Sequence, residues 1–154
     1  MKMIDVGAKP RTERVAVARG FVAMAPATVA RIRRGEVEKG DVLAAARLAG
    51  ILAAKRTPEL VPLCHPVALS AIDVTATPGP GGVEITATVR TVDRTGVEME
   101  ALAAVSAGCL TVYDRLKRYE RGMRIEAVEL LHKSGGRTGD YTRARASRPA
   151  RRRG

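Results

Sequence analysis

One stretch limits what this chain can become: Arg94-Thr-Gly-Val-Glu-Met-Glu-Ala-Leu-Ala-Ala-Val-Ser-Ala-Gly-Cys-Leu-Thr-Val-Tyr-Asp-Arg-Leu-Lys117. From Val97 onward, Val97, Leu102, Val105, Cys109, Val112 and Leu116 recur at the three-or-four spacing of one helix face. At about 100° per residue, Glu100, Ala103, Ala107, Thr111 and Asp114 fall in a second stripe, with Lys117 one turn beyond. Small residues thus pave a lane between a carboxylate and an Asp/Lys pair. At about 1.5 Å of rise per residue the two carboxylates stand roughly 21 Å apart. That lane is long enough to lie beneath an extended phosphorylated ligand. The plainer reading is close helix packing beside an exposed i,i+3 ion pair, which stabilises a helix by only about 0.2–0.5 kcal/mol.

The segments around this helix define the layer it packs on. Residues 14–24 alternate as a strand. Pro26 opens a short helix that Gly35 closes, and Asp41 is placed to cap an alanine-rich helix over residues 42–56, stopped by Thr57-Pro58. Pro62 and Pro66 stiffen the extended piece that carries Leu63-Cys64-His65. Residues 69–77 and 83–91 read as two strands joined by Pro78-Gly-Pro-Gly-Gly82, and residues 124–131 as a last strand. The order is strand, helix, strand, strand, helix, strand once the doubled first helix is counted as one. This predicts an α+β, ferredoxin-like domain: a four-stranded antiparallel sheet with helices packed on one face. The chain shows no internal repeat, and one domain is expected over residues 1–141.

A hydrophobic fraction of 45% without a long apolar run argues against a membrane-spanning chain. The beginning of the chain shows no apolar signal core, and Cys64 and Cys109 offer neither metal-ligand spacing nor a disulfide framework. A reducing cytoplasm is expected. The net charge is +11, but residues 142–154 hold six arginines and no acid, so the body carries +5. That tail lacks any apolar period and is expected to be disordered. A basic body suits a phosphate-rich partner.

His65 is one of two histidines and sits where flanking prolines would hold it rigidly. Bonding to a nearby carbonyl is the alternative reading. Cys64 reads as packing rather than as a nucleophile, because spacing assigns it no base. Lys133-Ser-Gly-Gly-Arg-Thr-Gly139 can wrap backbone N–H groups around an anion, though many such loops are simply turns. No zinc or iron site and no Ser-His-Asp triad can be assembled from spacing. A carboxylate/ammonium pair, one well-held histidine and many Lys/Arg suit acid/base work on a polyanion.

Several motifs occur together and in order: Thr57-Pro-Glu-Leu-Val-Pro-Leu-Cys-His-Pro66, Thr95-Gly-Val-Glu-Met-Glu-Ala-Leu102, Thr111-Val-Tyr-Asp114 with Lys117, and Lys133-Ser-Gly-Gly136. With Met3-Ile-Asp-Val6, Gly40-Asp41 and Ala53-Ala-Lys-Arg-Thr57, they closely resemble the MoaC family over roughly residues 3–141. The resemblance implies a cyclic pyranopterin monophosphate synthase of molybdenum-cofactor biosynthesis, acting on 3′,8-cyclo-7,8-dihydroguanosine 5′-triphosphate and releasing pyrophosphate. It implies a homo-hexamer, a trimer of dimers, with sites at subunit interfaces. Asp114 and Lys117 take the catalytic positions. Leu63, Cys64, His65, Met99 and Glu100 take substrate-binding positions, and Lys39, Lys55 and Lys133 further basic ones. No resident metal or cofactor is implied, although Mg²⁺ can accompany the triphosphate. Arg137-Thr138, Gly108-Cys109 and Arg118-Tyr-Glu-Arg121 depart from the family pattern.

The alternative is an RNA-recognition-like module. Arg19-Gly-Phe-Val resembles part of its aromatic signature. That fragment lies on the first strand rather than the third, and the chain has one Phe and three Tyr for stacking bases. Apart from this, nucleic acid or a membrane surface enters only as a partner of the tail, through counterion release.

Overall fold

Strand β1 (Thr12–Ala23) lies at the centre of the sheet in the computed structural model, which describes residues 1–144. Its alternation puts Ala16, Ala18 and Val22 in the core with no exposed surface, while Val15, Val17 and Phe21 on the other face are half-buried. Along its full length β1 pairs with β3 (Gly82–Asp93), and β3 pairs with β2 (Leu69–Gly79). Pro80-Gly81 closes that hairpin, with Gly81 at φ +80°, a conformation that favours glycine at the second central position of the turn. On its other side β1 pairs with β4 (Arg124–Ser134) through two register shifts, one of them opposite Ala127 at φ 54°.

The sheet has five strands rather than the expected four, all antiparallel, in the order β2-β3-β1-β4-β5. The addition is β5 (Tyr141–Thr142), paired with Lys133 and His132. Gly135, Gly136 and Gly139 all take positive φ, which turns the chain back along β4 without a steric penalty. Arg143 continues the contact, its N–H donating to the Leu131 carbonyl at 2.8 Å. The basic tail beginning at 142 therefore has its first residues against β4, and 145–154 lie outside the described residues.

Helices α2 (Val42–Lys55) and α4 (Glu98–Leu116) pack on each other and cover one face of the sheet, α4 over β1, β3 and β4 and α2 over β2. Asp41 caps α2 as expected, its Oδ1 accepting from the Leu43 and Ala44 N–H groups at 2.9 Å. The apolar stripe of α4 is buried at Val97, Val105, Cys109, Val112 and Leu116, and Leu102 is half-buried. Close approach explains the small residues. A Cβ on Gly20 of β1 would stand 2.8 Å from Cys109 Sγ, and one on Gly108 would stand 2.9 Å from Ile85. Gly108 weakens the helix intrinsically by about 1 kcal/mol relative to alanine, and here it lets α4 lie on the sheet.

Thr57-Pro58 does end α2, yet the chain goes directly into a one-turn helix, α3 (Thr57–Leu60), because proline is tolerated in a first turn. Buried Thr57 fixes the corner by donating to the Ala53 and Ala54 carbonyls. The short α1 (Pro26–Arg33) is followed by a loop whose Val37 is buried and whose other residues over 34–36 and 38–41 are exposed. That loop returns to the C-terminal end of α4.

Candidate functional site

Asp114 sits in the last turn of α4 and Lys117 caps the helix, both exposed to solvent, and their ion pair measures 2.8 Å. The second carboxylate oxygen pairs with Lys39 Nζ at 2.9 Å, and the same ammonium donates to the Asp114 carbonyl at 3.1 Å. One carboxylate thus stands between two ammoniums. Hydrogen bonds from Lys117 and Lys39 hold the Asp114 carboxyl down to about 2 from its ordinary 3.8, and Asp114 in turn raises the Lys117 ammonium. At neutral pH Lys117 is therefore a protonated ammonium and Asp114 a fixed negative charge. All three side chains are about half exposed, so their pairing adds little to fold stability and leaves them open to a ligand.

The opposite end of α4 has a different character. Glu100 is only 2% exposed, and its Oε1 has no hydrogen-bond partner among the described residues. Burial pushes its carboxyl up, and neighbouring Glu98 adds to the shift. Cys64, half-buried, is pushed up by burial and by the charge of Glu100, which keeps the thiol protonated. Just before it, Leu63 takes φ 63°, strained for a branched side chain. Met99 and Leu63 are exposed beside this turn of chain, and His65 is half-buried.

The predicted residues therefore fall into separate groups. Asp114, Lys117 and Lys39 meet at one end of α4, while Cys64 and Glu100 come together toward the other, roughly 21 Å along the axis. Lys55 ends α2 with an exposed side chain, and Lys133 lies on β4 with its ammonium donating to Thr138. Beyond Lys133, the glycine loop borders a cleft of ≈ 270 Å³ lined by Lys9, Pro10, Thr12, Arg14, Gly136, Arg137 and Thr138. Three cations line it. Lys9 and Arg14 are the members that sequence reasoning missed, and strand alternation gives an arginine no special signal. The Arg14 Nε donates to Thr12 at 2.8 Å, and a Cβ on Gly136 would stand 2.3 Å from its guanidinium.

A family model described as the MoaC family matches residues 3–136. The chain belongs to the MoaC family. It is 56% identical to the cyclic pyranopterin monophosphate synthase of Roseiflexus sp. (strain RS-1) over 91% of this chain and 90% of the relative. Identity is 57% to the protein of the same name from Methylobacterium sp. (strain 4-46), over 90% of this chain and 88% of the relative. It is 55% to that of Thermomicrobium roseum (strain ATCC 27502 / DSM 5159 / P-2), over 92% and 87%. Membership sets aside the RNA-recognition-like alternative for the body of this MoaC-family chain. No helix among the described residues is long and apolar enough to cross a membrane.

Proposed function

We propose that this MoaC-family chain is a cyclic pyranopterin monophosphate synthase. It converts 3′,8-cyclo-7,8-dihydroguanosine 5′-triphosphate into cyclic pyranopterin monophosphate and pyrophosphate, an early step of molybdenum-cofactor biosynthesis. The observation that carries the reading is 55–57% identity, over 90–92% of the chain, to relatives bearing that name.

Asp114 and Lys117 are the catalytic pair in this reading. Closing the cyclic phosphate forms a bond from a substrate hydroxyl to the α-phosphorus and breaks the bond to the departing pyrophosphate. The hydroxyl loses its proton to solvent while negative charge builds on the leaving group. An ammonium that Asp114 keeps protonated can meet that charge or donate to it, and Asp114 fixes where the ammonium points. Lys39 and Lys55 contribute positive charge for the triphosphate, as do Lys133 and the neighbouring Arg14, Lys9 and Arg137. Glu100, Met99, His65, Cys64 and Leu63 form the end that receives the ring system. Mg²⁺, where used, arrives with the triphosphate rather than as a resident cofactor.

The two ends of α4 are too far apart for one compact ligand to touch both. This supports sites shared between copies in a homo-hexamer, a trimer of dimers. Leu48, Leu52 and Leu110, exposed on the helix layer, support the same reading by leaving apolar surface for another subunit. The order of the four long strands supports a ferredoxin-like subunit. We place the enzyme in the cytoplasm, with nucleic acid a partner only of the basic tail. Incubation with the cyclised GTP-derived substrate tests the assignment: pyrophosphate and a cyclic phosphate product should accumulate together. Folded protein that yields neither refutes it.

A further inference from the structure

Lys39 reaches Asp114 from a loop without secondary structure of its own, between α1 and α2. A long lysine side chain on such a loop has many rotamers to lose before it can hold one partner. The loop carries positive φ at Gly35 and Gly40, on either side of the segment that must be held. Val37, buried in the core, anchors its middle.

The end of α4 and the residues just after it grip this loop through three side chains. Tyr119 Oη accepts the Glu38 backbone N–H at 2.9 Å. The Arg118 guanidinium pairs with the Glu38 carboxylate, and Arg115 donates to the Lys39 carbonyl. Tyr119 is itself held in place. Its ring lies 4.5 Å from the Arg31 guanidinium of α1, and Arg31 donates to the Glu36 carbonyl at 3.2 Å. Contacts from α1, the loop and the end of α4 thus converge on residues 36–39, next to Asp114. Lys117 differs from Lys39 in this respect, since it comes from the same helix as Asp114 and needs no loop to reach it.

We infer that Arg118 and Tyr119 are positioning residues, which hold the loop against the end of α4 so that the Lys39 ammonium is delivered to Asp114. The inference rests on the catalytic reading of Asp114 given above. Neither residue touches Asp114; each acts through the backbone and side chain of Glu38. Asp114 itself faces Lys117 and Lys39, whereas Arg115 and Arg118 turn to the loop. With the grip released, Asp114 keeps one ammonium and the second moves freely in solvent.

The test uses full-length protein carrying Tyr119→Phe, Arg118→Ala, or both. Tyr119→Phe keeps the ring over which Arg31 lies and removes only the accepting oxygen. Arg118→Ala provides a second route should the tyrosine change disturb packing. Competitive acylation with mass spectrometry reads the release directly, with exposed Lys2 as the reference amine. Losing one or two tethers should raise Lys39 labelling about two- to tenfold, while Lys117 labelling stays as in wild type. Turnover at saturating substrate should fall by a similar factor. In a Lys39→Ala background the same substitutions should change turnover no further, because residues acting through one group are not additive. Unchanged Lys39 labelling in the double variant overturns the inference, as does a turnover loss that persists at full size without Lys39. The labelling result does not depend on which residue does the chemistry. A normal rate in Asp114→Asn would refute the catalytic reading and leave the labelling result to decide the role of Tyr119 and Arg118.

Discussion

Replacing Glu100 with glutamine should make the protein more stable at neutral pH and less active. The carboxyl is 2% exposed, one of its oxygens lacks a partner among the described residues, and burial raises it above its ordinary 4.5. A folded-state carboxyl that is harder to ionise binds its proton more tightly than the unfolded chain does. Its contribution is therefore fully present below about pH 4.5 and is lost as pH rises through the folded value. Every tenfold weakening of its ionisation in the folded protein corresponds to about 1.4 kcal/mol lost above that window. Glutamine has nearly the same shape and no charge, so the loss should vanish. Thermal denaturation at pH values from 4 to 8 checks this. Near pH 4 the two proteins should match to within the small cost of an uncharged polar swap. Toward pH 8 the variant should gain, with about 2–4 °C in melting temperature for each kcal/mol in a chain of this size. Turnover should still fall, since the buried oxygen would no longer offer the ligand a carboxyl group. Stability curves that stay parallel across the whole pH range would refute the reasoning.

Three further outcomes follow from geometry and charge. Gly20→Ala should destabilise by about 1–3 kcal/mol, because its Cβ would stand 2.8 Å from Cys109 Sγ; adding Cys109→Ala should recover part of the melting temperature. Deleting residues 145–154, which hold five arginines, should leave turnover unchanged, while a filter-binding assay should show weaker nonspecific RNA binding with a shallower salt dependence. Mixing inactive His65→Ala and Lys117→Ala subunits should restore partial turnover if the two ends of α4 serve one shared site, and unmixed controls should stay inactive.

Local signals made much of the fold legible. The three-or-four spacing of α4 identified its buried face, Asp41 announced the start of α2, and the run Pro78 to Gly82 marked the hairpin, although the strands extend into it and only Pro80-Gly81 turn. Less visible was anything set by long-range pairing. The two residues of β5 have no alternation to read, and only three glycines in left-handed conformations bring them back to β4. The shifts between β1 and β4 likewise arise from strand pairing and close packing, which no single segment encodes.

The same division holds at the candidate site. Asp114 and Lys117 lie three residues apart on one helix, so periodicity places them together. Lys39 is 75 residues from Asp114 in sequence, and its arrival depends on a loop docked by Tyr119 and Arg118. Those two residues were visible only as a departure from the family pattern. The approach of Cys64 to Glu100 was likewise suggested by family resemblance alone, since spacing linked neither residue to the other.

Single-turnover kinetics beside equilibrium substrate binding, for Asp114→Asn, Lys117→Ala and the double variant, tests the catalytic pair most directly. Each single change should slow the chemical step by about 10²–10⁴. Affinity should change far less, as expected where Lys55 and Lys133 hold the phosphates as proposed. The double variant should be little slower than either single one, as expected for residues that act as a unit. Chemistry at the wild-type rate with weakened binding would contradict the account, making Asp114 and Lys117 supports of a phosphate site and moving the catalytic role to another residue, with His65 first.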